Sequence, residues 1–282
     1  MTISDTAKAT MLQFSTKNMV DLPYVRISRQ LCEAYASHYG FEYVFEVEEN
    51  ASWHDCIIGK MDVISRILSA MSPGEYLVYV DTDAFIALPE LDLRTLIDAQ
   101  HEFFIAQDIC KNAAIQPFYI ATQALAQANK ISNPPISLFS VLQMKFANYN
   151  EWKLSSNLFI SMQNPWGLNT GFMILKNSAD VVGFFQECIK YSQCDWRFHE
   201  NEHRGDQDII SYFLQSDKYF GKLKILPPRT QGHLAFPIES EFGYQEGTTF
   251  LLHMYGQPTE ARNNAAKMIA DSSAWHVWDK RS

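Results

Sequence analysis

The sequence predicts an α/β protein built on a Rossmann-like, mostly parallel sheet with helices on both faces, and three observations carry that prediction. Tyr76-Leu-Val-Tyr-Val80 is an unbroken apolar run after the turn signal Ser72-Pro73-Gly74, as expected of a strand buried on both faces. The chain opens in the order strand, helix, strand, the start of a βαβ unit whose crossover should be right-handed. Its 282 residues, 47% hydrophobic and 20% charged, can bury one large core, and we read 1–282 as a single domain.

Taken in order, Thr10 to Thr16 is a first strand ending in small hydroxyl residues. Tyr24 to Tyr39 has helical spacing through Ile27, Leu31, Ala34, Tyr35 and His38 and stops at Gly40. Phe41 to Val47 is rich in β-formers and gives a second strand. Trp53 to Met71 carries Ile57, Met61, Ile64, Leu68 and Met71 on one helical stripe and delivers the chain to the Tyr76 strand. Lys60 sits early in that helix, against the usual preference of cations for the C-terminal end. A ligand-facing cation and a solvated lysine both fit it.

Farther on, Leu91 to Ala99 reads as a short helix and Phe103 to Ala106 as a strand ending in Asp108. Periodicity is poor over 111–165, where Asn133-Pro-Pro135 breaks regular structure and Tyr149 and Trp152, with Trp166 just beyond, stand near polar residues. We read this as an insertion over the sheet edge. Its aromatic rings suit either the apolar faces of a sugar or a mini-core of their own. Gly167 and Gly171 allow close backbone approach or positive φ, before a strand at Phe172 to Leu175 and a helix at Ala179 to Tyr191. A polar loop, His199 to Asp206, leads to a helix at Asp208 to Leu214. Lys224 to Leu226 precedes Pro227-Pro228, Phe250 to Leu252 is a last strand delivering His253, and 258–282 is a partly helical tail that Trp275 and Trp278 should dock.

The chemistry concentrates after the Tyr76 strand, at Asp81-Thr82-Asp83. Ligands in open α/β sheets collect beyond the carboxyl ends of strands. Residues two apart in extended chain share a face, so the two carboxylates repel unless a cation or proton lies between them. A hard divalent metal with oxygen ligands meets that need. The alternative is a turn begun by Asp81 and a segment capped by Asp83.

Composition narrows the partners. A formal net charge of −9 gives no general attraction to nucleic acid or anionic membrane, so a phosphate-bearing ligand must be held by local donors or a metal. The sequence has no apolar run of about 18 residues and no basic-then-apolar leader at Met1 to Lys8, so we expect a cytoplasmic protein without a transmembrane anchor. Five cysteines, Cys32, Cys56, Cys110, Cys188 and Cys194, lack CxxC spacing and suggest neither a disulfide framework nor a zinc knuckle.

Four pieces then line up: the helix with Lys60, Val80-Asp-Thr-Asp83 after a buried strand, Gly167-Leu-Asn-Thr-Gly171, and Gly205-Asp-Gln-Asp208 followed by Leu252-His253. This set resembles the GT-A fold glycosyltransferases, most closely glycosyltransferase family 34, over about 25–110 and 166–256. The resemblance implies a GT-A type domain with 111–165 as an inserted acceptor-side segment. It implies a nucleotide-diphosphate sugar donor, commonly UDP-linked, Mn²⁺ or Mg²⁺ as cofactor, a glycan or other hydroxyl acceptor, and retention of configuration. Carried over position by position, Asp81, Asp83 and His253 would bind the metal. Asp206 and Gln207 would be the catalytic pair beside the transferring sugar. Phe14, Ser15, Thr16, Lys60, Thr82, Asn169, Thr170, Gly171 and Gly256 would line the donor side with them. One departure stands out: the family often has a lysine shortly after the histidine, whereas here the chain reads His253-Met-Tyr-Gly-Gln-Pro258, leaving Arg262 or Lys267 to replace it or the donor phosphates to lean more on the metal.

On that reading the metal and its ligands would stabilise the departing pyrophosphate, and Asp206 and the Gln207 carbonyl would face the developing positive charge at the anomeric carbon. Local readings also exist, in which Asp206 and Asp208 cap a helix, His253 is a core histidine, and Asn169 and Thr170 close a turn. Two rival functions are a non-catalytic nucleotide-sugar or glycan-binding protein on the same scaffold, suggested by the missing lysine, and a haloacid-dehalogenase-like phosphatase using Asp81 as nucleophile. Against the latter, Phe85 stands where that family wants Thr or Val.

Overall fold

Which core a side chain joins is decided by period-two alternation along each strand. A computed structural model describes residues 7–49, 53–107, 168–194, 205–214, 216–227, 229–234 and 243–279. The expected insertion at 111–165, Asp108, Trp166, Gly167 and residues 199–204 lie outside the described residues, as do the side chains of Asp208 and Trp278. In β1 (Ala9–Thr16), Ala9 and Met11 enter one core, and Leu12 and Phe14 the other. In β3 (Tyr76–Val80), Tyr76, Val78 and Val80 alternate in the same way with Leu77 and Tyr79. β5 (Phe103–Gln107) and β6 (Leu168–Lys176) repeat the pattern. Burial on both faces is why these strands read as continuous apolar runs. Truncating a ring such as Phe104, 0% exposed, to alanine should cost about 3–5 kcal/mol.

The main sheet has six strands in the order β2-β1-β3-β6-β5-β7, with β2 at Glu42–Glu48 and β7 at Leu223–Ile225. β1 pairs in parallel with β2 and β3, and β5 with β7, while β6 runs antiparallel to both β3 and β5. The sheet is therefore mostly parallel, as expected. Helix α1 (Pro23–Tyr39) covers the first face, together with a C-terminal helix at Thr259–Ala270 that buries Ala265, Ala266 and Ile269. Pro23 at the first helical position and Gly40 at φ 69° mark the two ends of α1. Helix α2 (Trp53–Ala70), α3 (Ala179–Cys194) and α4 (Asp206–Leu214) cover the opposite face through Met61, Ile64, Leu68, Phe184, Phe185, Ile209 and Ile210.

A second sheet, order β4-β9-β8, joins Ala84–Ile86, Leu251–His253 and Gln231–Gly232. Its strands of two or three residues are too short to carry a periodic signal, and the sequence reading anticipated only the one before His253. The expected helix at Leu91 to Ala99 is instead a 3-10 turn, Leu93–Leu96, in which the Asp92 side chain accepts from the Arg94 N–H. The β6 strand is longer than expected, beginning at Leu168. Trp275 docks the tail as anticipated, donating its indole N–H to the Ile86 carbonyl at 2.7 Å. Among the described residues no helix is long and apolar enough to cross a membrane.

Candidate active site

Strand direction explains how distant segments reach one place. Because β6 runs against β3, its N-terminal end meets the C-terminal end of β3. Val80 faces Phe172, and the next amide, Asp81 N–H, donates to the Gly171 carbonyl at 2.8 Å. The small polar segment Asn169-Thr-Gly171 thus lies beside the acidic pair. The second sheet completes the arrangement. β4 starts directly after Asp83, and its first residue, Ala84, pairs with His253, the last residue of β9. The Met254 N–H donates to the Asp83 carbonyl at 2.9 Å. α4 begins at Asp206, whose carboxylate meets the Lys60 ammonium that also contacts Asp81.

The ligating atoms of Asp81, Asp83 and His253 all lie within 4.8 Å of one another. His253 Nε2 is 3.1 Å from Asp83 Oδ1 and 3.6 Å from Asp81 Oδ2. Gly171 makes room for the imidazole, since an added Cβ would lie 2.1 Å from Cε1 of His253. The ring of Tyr255 meets that of His253 edge-on at 5.1 Å.

A second cluster surrounds Lys60, which is 6% exposed. Its Nζ lies 2.8 Å from Asp206 Oδ2 and 3.1 Å from Asp81 Oδ1, and donates to the Thr170 carbonyl at 3.0 Å. Thr170 Oγ1 donates to the same Asp206 oxygen at 2.6 Å, and the Tyr79 hydroxyl donates to Asp81 Oδ1 at 2.7 Å. The ammonium also stands 4.4 Å from the Tyr79 ring centre, a cation–π contact. Asp81 therefore belongs to both clusters, offering one oxygen to Lys60 and the other to His253.

The electrostatics follow from these contacts. Burial works to lower the Lys60 pKa, but the charges of Asp206 and Asp81 outweigh it and hold the pKa above the ordinary value. Burial works to raise the Asp83 pKa, but the hydrogen bond and charge of His253, then the charge of Arg262, leave it below the ordinary value. Burial first, and the Asp81 charge second, push the Tyr79 phenol well above its ordinary range, so it stays a neutral donor.

The other expected residues are placed less decisively. Phe14, Ser15 and Thr16 end β1, next to β3, and are 8%, 5% and 5% exposed. Asn169 is buried and its Oδ1 accepts from the Gly171 N–H at 2.8 Å, which closes the turn-like local contact considered from sequence. Thr82 is buried between the two acids, and Gln207 is half-buried on the first turn of α4. Gly256 adopts φ 67° in the turn after β9. Of the two candidate replacement cations, Arg262 approaches the site, with Nη2 3.2 Å from Asp83 Oδ2, whereas Lys267 is an exposed residue of the Thr259–Ala270 helix. Sequence reasoning missed Tyr79, whose place inside an apolar strand hid its hydroxyl. It also missed Gln13, which is 0% exposed in the middle of β1. Gln13 donates to Ser28 Oγ at 2.9 Å and to the Asp81 carbonyl at 3.5 Å, and accepts from the Tyr43 hydroxyl. A lone glutamine between apolar neighbours was the available signal.

Comparison with known proteins follows the same line. The chain matches the family described as galactosyl transferase GMA12/MNN10 family over residues 5–263. No curated protein sequence matches it. Among solved structures it is similar to a glycosyltransferase involved in the glycosylation of the major capsid of PBCV-1, with TM-score 0.59 and 13% identity over 93% of this chain and 99% of that one. It is also similar to the bifunctional glycosyltransferase WbbM (TM-score 0.50, 12% identity, 99% of this chain and 52% of that one). A third likeness is to the glycosyltransferase GlyE of Streptococcus pneumoniae TIGR4 (TM-score 0.50, 11% identity, 98% and 64%). At these identities the likeness is one of fold.

Proposed function

The chain belongs to the galactosyl transferase GMA12/MNN10 family and is a glycosyltransferase of the GT-A fold, and from that premise we propose a metal-dependent sugar transfer from a nucleotide-diphosphate donor to a hydroxyl acceptor. The donor is a UDP-linked hexose or pentose, the acceptor a glycan or similar alcohol, and the anomeric configuration is retained. The observation that carries this reading is the convergence of Asp81, Asp83 and His253, with ligand atoms within 4.8 Å of one another.

The residues fit a divalent ion. Two carboxylates suit Mn²⁺ or Mg²⁺, and the imidazole favours Mn²⁺ of the two. His253 Nε2 lies 3.1 Å from an oxygen of Asp83 and 3.6 Å from one of Asp81, close enough for all three to share one ion. Bound there, an ion would supply positive charge to the departing phosphate oxygens.

The chain's own residues do the rest. Lys60 bridges Asp206 and Asp81, and Thr170 fixes the same Asp206 oxygen, so the carboxylate is oriented before the donor arrives. Asp206 and the Gln207 side-chain carbonyl then face the positive charge that grows at the anomeric carbon, or hydrogen-bond the sugar hydroxyls. An amide is a poor nucleophile and Asp206 already accepts from two donors, which favours front-side substitution. The bond from the anomeric carbon to phosphate oxygen breaks, the acceptor oxygen bonds to the same face, and the departing phosphate takes the acceptor proton. Phe14 to Thr16 and Thr82 line the nucleotide side.

A screen of nucleotide sugars by thermal shift, with and without Mn²⁺, tests the reading, because a ligand of the native state alone raises its apparent stability. A shift that needs both Mn²⁺ and a UDP-sugar is expected, and none for any nucleotide sugar would overturn it. The missing lysine favours one second reading, a non-catalytic binder: a transferase leaks donor slowly to water, whereas a binder gives the thermal shift and no hydrolysis. Release of phosphate from simple phosphomonoesters would revive the phosphatase alternative.

A further inference from the structure

Arg262 lies on the helix after β9, and its guanidinium is fixed from three sides. Nε donates to the Met254 carbonyl at 3.2 Å and Nη1 to the Tyr24 hydroxyl at 3.3 Å, while Nη2 meets Asp83 Oδ2 at 3.2 Å. The same group stands over the Tyr24 ring, 5.4 Å from its centre. Asp83 is thus divided: Oδ2 faces Arg262 and Oδ1 faces His253 Nε2 at 3.1 Å. Tyr24 is 0% exposed and Met254 is 3% exposed, so both anchors of the guanidinium are buried.

We propose that Arg262 is a positioning residue that pins one oxygen of Asp83 and so presents the other, as a single fixed ligand, to the cation shared with Asp81 and His253. The inference rests on the metal reading given above. A carboxylate free to rotate could chelate through both oxygens or turn away, and a planar fork with three directed donors prevents both. Lysine carries the same charge but is a point donor without that fork. The two possible roles of Arg262 have opposite signs. A cation acting only through its charge repels a neighbouring metal, so keeping the charge would leave affinity unchanged and removing it would raise affinity. A positioning group loses affinity even when the charge is kept.

Titration of the full chain with Mn²⁺ alone, read by electron paramagnetic resonance well below the thermal midpoint, tests this. Arg262→Lys is expected to weaken Mn²⁺ binding by about tenfold or more, the scale of lost outer partners at metal sites. Tyr24→Phe, which keeps the ring and removes the hydroxyl anchor, should weaken it by about threefold. Thermal midpoints are measured alongside, and weakening without a matching midpoint drop separates positioning from general destabilisation. Should Arg262→Lys fail to fold, Tyr24→Phe decides. Affinity in the variants equal to or tighter than wild type overturns the proposal. A wild-type chain that binds no Mn²⁺ overturns the metal reading beneath it.

Discussion

Replacing Gly171 with alanine tests the geometry of the site through sterics alone. The added Cβ would sit 2.1 Å from Cε1 of His253, with Nδ1 and Nε2 at 2.7 and 2.8 Å. Ordinary carbon–carbon contact is about 3.5 Å, so ring or strand must retreat by about 1.4 Å. The strand is tied on one edge by the Asp81 N–H to Gly171 carbonyl bond and by its pairing with β3 from Phe172 onward, while its register against β5 shifts around Gly171. The ring is 2% exposed, with Asp83 and Tyr255 against it. Forcing a methyl into such a place costs about 1–3 kcal/mol. Chemical denaturation of Gly171→Ala should show that loss, and Mn²⁺ titration should show weaker binding. The decisive assay is a double-mutant cycle with His253→Ala. With the imidazole gone the methyl has space, and the stability cost of Gly171→Ala should fall by at least half. An undiminished cost in the His253→Ala background would refute the reasoning.

Other consequences are as direct. Asp83→Asn keeps the shape and removes the charge. It should weaken Mn²⁺-dependent donor binding by more than the roughly 10- to 100-fold typical of outer partners, as read by calorimetry. Lys60→Met leaves Asp81 and Asp206 without the cation between them. It should destabilise by about 2–3 kcal/mol, less than the roughly 3–5 of a fully buried pair because the Asp81 side chain is 29% exposed. Adding Asp206→Asn should restore much of that loss in denaturant titrations. Away from the site, burial works to raise the Asp98 pKa, but hydrogen bonds from Lys224 and His101 outweigh it and hold the carboxyl below the ordinary range. The sign follows from linkage: the stabilisation is present above the unfolded carboxyl pKa of about 3.9 and is lost as pH falls through the lower folded value. Asp98→Asn should therefore lower the thermal midpoint at pH 7, and the gap to wild type should close in strong acid.

How much of this was legible in the sequence depended on the range of the signal. Tyr76 to Val80 announced itself because burial on both faces leaves an unbroken apolar run, and the acids after it followed from where such sheets bind ligands. His253 could not be tied to them from sequence, because what joins them is the pairing of Ala84 with His253 in strands of three residues. The resemblance to a family supplied that link. The same holds for Asn169 to Gly171: only the antiparallel course of β6 brings the start of that strand, rather than its end, to Asp81. Lys60 was ambiguous because a helical position says nothing of which carboxylates face it. The geometry resolves it as a buried cation between Asp81 and Asp206. The helix expected at Leu91 to Ala99 was shortened by Asp92, whose side chain takes the Arg94 N–H and favours a tight turn.

The central claim, that Asp81, Asp83 and His253 together hold one divalent cation, is tested most directly by anomalous diffraction from crystals grown with Mn²⁺. The account predicts one strong anomalous peak bonded at about 2.0–2.4 Å to a carboxylate oxygen of each aspartate and to Nε2 of His253. A peak bound elsewhere, or one that leaves the imidazole unligated, would contradict it.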